Sequence, residues 1–145
     1  MPYEHPARED IRKLLEQSHT IAVVGCSDNP ERTSYQIAEA MQAKGYRIIP
    51  VNPNADNILG EICYPTLMDV PEKIDIVNVF RRSETVVPIA EEAVRIGAKA
   101  FWLQLGILNE EAGRIAEEGG LTVIMDRCIK VEDAILLPDR KQTGK

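Results

Sequence analysis

The chain has 145 residues, 44% of them hydrophobic and 28% charged, which is enough for one compact domain with a single core and too few for a second. Its net charge of -6 argues against a nucleic-acid partner, so any phosphate-bearing ligand must meet a local cluster of basic side chains. The start Met1-Pro2-Tyr3-Glu4-His5 has no basic or apolar leader character, no apolar run reaches membrane-span length, and Cys26, Cys63 and Cys128 are odd in number and widely spaced. The expectation is a cytoplasmic protein with reduced thiols and no membrane partner.

Residues 7–17 read as a helix, with Ile11, Leu14 and Leu15 on one face and Pro6 at a tolerated start. Residues 20–24 then form a short, β-branched apolar run that ends in Gly25 and small polar residues, the pattern of a buried parallel strand turning into a helix. The helix is predicted over 33–44, with Ile37, Ala38 and Met41 inward and Gly45 as a left-handed stop. A second strand follows at 47–51, then a loop from Asn52 to Asn57 and a wandering connection over 58–73 that holds one helical turn near Thr66. Residues 74–80 are a third strand, after which Ser83 and Glu84 open a helix that buries Val86, Val87, Ala90, Ala93 and Val94 and stops at Gly97.

The unit recurs twice more, as strand 99–103 with a helix capped by Asn109, and as strand 121–125 with a short helix near 131–136. Five strands separated by crossovers predict an α/β fold, an open doubly wound parallel sheet in the order 3-2-1-4-5, counting strands along the chain. Its core spans about residues 8–137, between an arm at 1–7 and a polar tail at 139–145.

Ligands of such sheets bind beyond the carboxyl ends of the strands. The residues there are Gly25-Cys26-Ser27, Asn52-Pro53, Arg81-Arg82, Gln104-Leu105-Gly106 and Arg127-Cys128. The first turn lacks Gly-x-Gly-x-x-Gly, and Asn52 stands where an acid would hold a ribose hydroxyl, which disfavours NAD. Arg81 and Arg82, with Arg32 as a third, offer forked donors to phosphate; the competing reading is that they solvate the surface or pair with acids such as Glu84. No histidine base is expected at this edge, since His19 precedes the first strand and His5 lies in the arm. Cys26 and Cys128 lie at the edge, where a structural role is favoured over a nucleophilic one. Tyr35, Tyr64 and Trp102 could meet a base, though a solitary aromatic more often packs.

Together, Val23-Val24-Gly25-Cys26-Ser27 with Arg32-Thr33-Ser34-Tyr35, Ile49-Pro50-Val51-Asn52-Pro53, Val79-Phe80-Arg81-Arg82, Trp102-Leu103-Gln104-Leu105-Gly106 and Met125-Asp126-Arg127-Cys128 resemble the small stand-alone CoA-binding protein family. That family is related to the N-terminal domain of the succinyl-CoA synthetase α subunit. The resemblance covers about residues 8–137 and implies a Rossmann-like domain with CoA as its ligand. It places CoA contacts on Gly25, Cys26, Ser27 and Asp28, on Asn52 and Pro53, and on Leu103, Gln104 and Leu105, with Arg32, Ser34, Tyr35, Arg81 and Arg82 beside them. The synthetase domain has a lysine shortly after the proline of its second-strand region; Asn54-Ala55-Asp56 offers none, and the arginines stand in for it. The synthetase's phosphorylated histidine belongs to a further domain that this chain does not contain. The expectation is a module that binds CoA or an acyl-CoA and has no catalytic residue, no metal and no chemistry of its own; its protein partner is not specified. Two alternatives stay open: an NAD(P)-linked oxidoreductase or redox sensor, and the CoA-binding half of an acyl-CoA ligase completed by a partner chain.

Overall fold

The computed structural model describes residues 3–138; the predicted polar tail lies outside them. Five parallel strands make the central sheet: β1 (Thr20–Val24), β2 (Arg47–Val51), β5 (Ile76–Val79), β6 (Ala100–Leu103) and β7 (Thr122–Ile124). Two further two-residue strands, β3 (Asn57–Ile58) and β4 (Glu61–Ile62), form a small antiparallel hairpin in the connection after β2. The helices are α1 (Arg8–Gln17), α2 (Thr33–Ala43), α3 (Val87–Arg95), α4 (Glu110–Glu118) and α5 (Ile129–Leu136). No helix among the described residues is long and apolar enough to cross a membrane.

The sheet is buried on both faces because its strands are apolar at alternate and intervening positions alike. Ile21, Val23, Ile48, Ile76, Trp102 and Ile124 pack with Ile11 and Leu15 of α1, Ile37 and Met41 of α2 and Ile129 of α5. Ala22, Val24, Val77, Val79, Phe101 and Val123 pack on the other face with Ala90 and Ala93 of α3 and Ala112 and Ala116 of α4. The Tyr46 hydroxyl donates to Asp133 at 2.5 Å, and Lys44 pairs with the same carboxylate, which is buried between α2 and α5. The Tyr3 hydroxyl donates to Val123 O at 2.7 Å and accepts from Met125 N–H at 3.2 Å, so the start of the chain is tied to the outer strand.

The α/β, Rossmann-like, all-parallel architecture agrees with the expectation, but the strand order is corrected. The sheet runs β2-β1-β5-β6-β7, which is 2-1-3-4-5 along the chain, not 3-2-1-4-5. Pro50 supplies the reason. Arg47 N–H donates to His19 O and Gly25 N–H donates to Val51 O, so alternate residues of β2 face β1 and Pro50 faces outward. A proline has no N–H to donate to a further strand there and belongs at an edge. The outward Pro50 carbonyl accepts from Tyr64 N–H at 3.1 Å, in a lone bridge instead of a ladder. The chain therefore crosses β1 to lay its third parallel strand on the far side. The topological switch point falls between β1 and β5, which brings Arg81 next to Gly25.

Two local differences follow from turn chemistry. The helix predicted from Ser83 starts at Val87, where Pro88 occupies its first turn, and Ser83–Thr85 is a separate 3-10 turn. The hairpin was not legible, because two-residue strands carry no periodicity.

At the amino end of the strands, Asp75 holds three elements together. Its Oδ2 accepts from His19 N–H at 2.8 Å and Thr20 N–H at 3.0 Å, and its Oδ1 lies 3.3 Å from Lys99 Nζ. Burial alone would raise its pKa, but the Thr20 and His19 amides and Lys99 outweigh burial and leave the carboxyl below its ordinary value. A depressed carboxyl contributes stability above its unfolded pKa and loses it as pH falls through the folded value. Asp75→Asn should thus cost about 1–2 kcal/mol at neutral pH. Urea unfolding should show the gap to the parent closing below about pH 4. A gap that persists unchanged at pH 3 would mean that the charge is not what matters.

Candidate functional site

The turn after β1 begins at Gly25, whose φ is +85°. A Cβ there would lie 2.3 Å from the carbonyl oxygen of Phe80, so β1 and β5 approach as closely as only glycine permits. Cys26 is fully buried beneath this turn. Burial first, and the Cys63 thiol second, push its pKa up to about 12, so the thiol stays protonated and is no nucleophile at neutral pH. Cys63 is likewise raised by burial.

The loop then closes on itself. Ser27 N–H donates to Ser34 Oγ at 2.9 Å, Asn29 N–H to Ser27 Oγ at 3.0 Å, Glu31 N–H to Asn29 Oδ1 at 2.9 Å and Arg32 N–H to Asn29 O at 3.0 Å. The amides of Ser27, Asn29, Glu31 and Arg32 are therefore spent within the loop, whereas those of Cys26 and Asp28 have no protein acceptor among the described residues. Among the described residues, the N–H groups of Thr33, Ser34 and Tyr35 have no protein acceptor, since Arg32 at the cap position makes no side-chain cap. The first turn of α2 also carries no acid of its own at its positive end. Asp28 and Arg32 are exposed beside it, and Tyr35 is half-buried against the core.

Across the edge, Asn52 Nδ2 donates to Cys26 O at 2.8 Å, and Pro53 is exposed next to it. Arg81 is half-buried, its Nε 3.2 Å from where a Gly25 Cβ would sit, so its guanidinium lies along the switch point. The Arg82 side chain is 83% exposed, and its Nε lies 3.6 Å from Glu84. Both arginines line a cleft of about 500 Å³ whose walls are Val24, Val51, Leu67, Phe80 and Ile89 and whose polar groups include Thr66, Thr85 and Glu92. Burial raises the Glu92 carboxyl above its ordinary value. Thr66, Thr85, Ile89 and Glu92 were missed by sequence reasoning. Only the order of strands puts the 65–67 segment opposite the end of β5.

Farther along, Leu103 is fully buried among α3 and α4 side chains, so only its backbone reaches the edge. Gln104 is also buried; its Oε1 accepts from Asn78 Nδ2 at 3.5 Å and from Ile129 N–H at 3.4 Å. Leu105 is 64% exposed. Gly106 N–H donates to Asp126 Oδ1 at 2.7 Å, which ties this loop to the end of β7. Cys128 stands at the N-cap position of α5 without a side-chain cap, and Trp102 is a core residue whose Nε1 donates to Arg127 O at 2.9 Å. His19 is at the opposite end, as expected. His5 is not so distant: burial and Arg127 lower its pKa, so the arm brings an imidazole within electrostatic reach of Arg127 and Asp126.

Arg81 and Gly25 thus meet at the switch point, and the free amides at the start of α2 follow one loop later. The profile described as CoA binding domain matches residues 19–134, from just before β1 into α5. The chain belongs to the CoA-binding domain family. The uncharacterized protein YneT of Bacillus subtilis (strain 168) is 49% identical to this CoA-binding domain over 132 residues, covering 91% of this chain and 98% of that protein. A solved structure of a hypothetical protein from Pyrococcus horikoshii OT3 is similar with a TM-score of 0.88 at 36% identity, covering 94% of this chain and 99% of that one. The ADP-forming acetate–CoA ligase II of Archaeoglobus fulgidus is 30% identical over 110 residues, covering 74% of this chain and 16% of the enzyme. The same domain thus occurs alone and as a small part of a long ligase.

Proposed function

We propose that this chain binds CoA or an acyl-CoA as a stand-alone cytoplasmic module without chemistry of its own. The observation that carries the reading is the close approach of Gly25 and Arg81 at the switch point of a CoA-binding domain, with free amides at the start of α2 one loop away. In this reading the pyrophosphate rests on the N–H groups of Thr33 to Tyr35 with Arg32 beside it. Arg81 supplies charge to a further phosphate, and the apolar walls of the cleft enclose the adenosine. Leu105 lies farther along the same edge, where a pantetheine arm would run.

A melting series tests this against NAD(P). A ligand at about a hundred times its dissociation constant stabilises the folded state by roughly 2.7 kcal/mol. For a chain of this size that is a rise of about 5–15 °C. CoA should reach it, dephospho-CoA should fall between CoA and no ligand, and NAD, NADH and NADPH should shift the midpoint clearly less. NADPH stabilising more than CoA would sink the assignment and promote the oxidoreductase. A second reading, one half of a ligase completed by a partner chain, is favoured by the match to the Archaeoglobus fulgidus enzyme. It predicts carboxylate-dependent ATP or GTP turnover only when a second chain co-purifies.

A further inference from the structure

We infer that Asn52 is a positioning residue: it clamps the loop after β1 to the end of β2 and so sets the anion-binding turn, without touching the ligand itself. Each of its polar groups is spent on the protein. Nδ2 donates to Cys26 O at 2.8 Å, and Oδ1 accepts from Asn54 N–H at 2.8 Å. The backbone N–H donates to Tyr64 O at 2.9 Å, and the backbone carbonyl accepts from the Cys63 thiol at 3.4 Å. The half-buried side chain thereby joins the 25–28 loop to the 52–54 turn, while the backbone of the same residue holds the segment after the β3–β4 hairpin.

This decides specificity by occupancy. In dinucleotide-binding sheets the end of the second strand carries an acid that reads the ribose. Here the loop requires an amide at that place, because its donor half faces the Cys26 carbonyl. A carboxylate would set two acceptors against each other. The position therefore cannot serve a ribose diol while the first turn stays closed. The functional part of this inference rests on the CoA reading; the clamp does not.

The test compares the parent with Asn52→Ala and Asn52→Asp. In ligand-free protein at pH 7, amide hydrogen exchange should show both variants losing protection over residues 25–32 by about tenfold or more, with α4 unchanged. For Asn52→Asp, protection should return at about pH 5, since a protonated carboxyl can donate to Cys26 O and still accept from Asn54. Asp28 and Asp56, which act on the neighbouring Cys63 thiol, favour that protonation, and the thiols of Cys26 and Cys63 stay neutral there. Affinity for CoA, measured by calorimetry, should fall about tenfold or more in both variants at pH 7 and recover in Asn52→Asp at about pH 5. If Asn52→Ala fails to fold, the nearly isosteric Asn52→Asp carries the comparison. Unchanged protection over 25–32 overturns the clamp. Lost protection with unchanged CoA affinity overturns the positioning role. A parent that does not bind CoA overturns the CoA reading instead, and the ligand-free exchange still judges the clamp.

Discussion

Replacing Gly25 by alanine is expected to destabilise the protein by about 2–5 kcal/mol, the sum of a left-handed backbone cost of about 1–2 and an overpacking cost of about 1–3. For a chain of this length the melting temperature should drop by roughly 6–16 °C. The reason is the new Cβ, 2.3 Å from the Phe80 carbonyl oxygen and 3.2 Å from Arg81 Nε. Neither the backbone of β5 nor β1 can yield without breaking the pairing of Val24 with Val79. Gly97 is the matched control. It also has positive φ, at +74°, but nothing lies within 4 Å of its Cβ position, so alanine there should cost only about 1–2 kcal/mol. Thermal and urea unfolding of the two variants side by side separate the contributions. Equal losses would mean that the close approach of β1 and β5 contributes nothing. CoA binding should be lost with Gly25→Ala, because the same Cβ displaces Arg81.

Arg81→Ala should weaken CoA binding by about 1.5–3 kcal/mol, on the order of 10–150-fold, as expected for hydrogen bonds from a charged group. Arg82→Ala should change affinity by no more than about threefold, because an exposed ion pair contributes little. The difference comes from placement: Arg81 is half-buried along Gly25, whereas Arg82 lies out with Glu84. The double variant should therefore resemble Arg81→Ala alone. Calorimetry at two ionic strengths provides the check, with parent affinity falling as salt rises and the Arg81→Ala variant responding less. If Arg82→Ala loses as much as Arg81→Ala, or the double variant binds as tightly as the parent, the assignment of phosphate charge to Arg81 fails.

Much of the fold was readable from local pattern. The apolar runs of β1, β5 and β6 are buried at every position, and each was visible as a run because both faces of a parallel sheet are covered. The helix capped by Asn109 was legible for a different reason: its signal is one side chain accepting from Ala112 N–H, which depends on no distant contact. Even the edge position of β2 was written in Pro50, although it takes a ladder to show which way that residue faces.

The composition and patterning of this chain by themselves determined an α/β sheet with a small-residue turn after its first strand, and the motifs spread along it determined the family. Those features rest on side-chain size, hydrophobic period and turn preference, which act within a few residues. The tertiary structure alone decided the strand order, and with it which arginine meets Gly25, which turn amides stay free and that Asn52 is spent on Cys26. Those are outcomes of long-range packing and of backbone groups competing for partners. Each depends on residues far apart in sequence whose neighbourhood exists only once β5 has paired with β1.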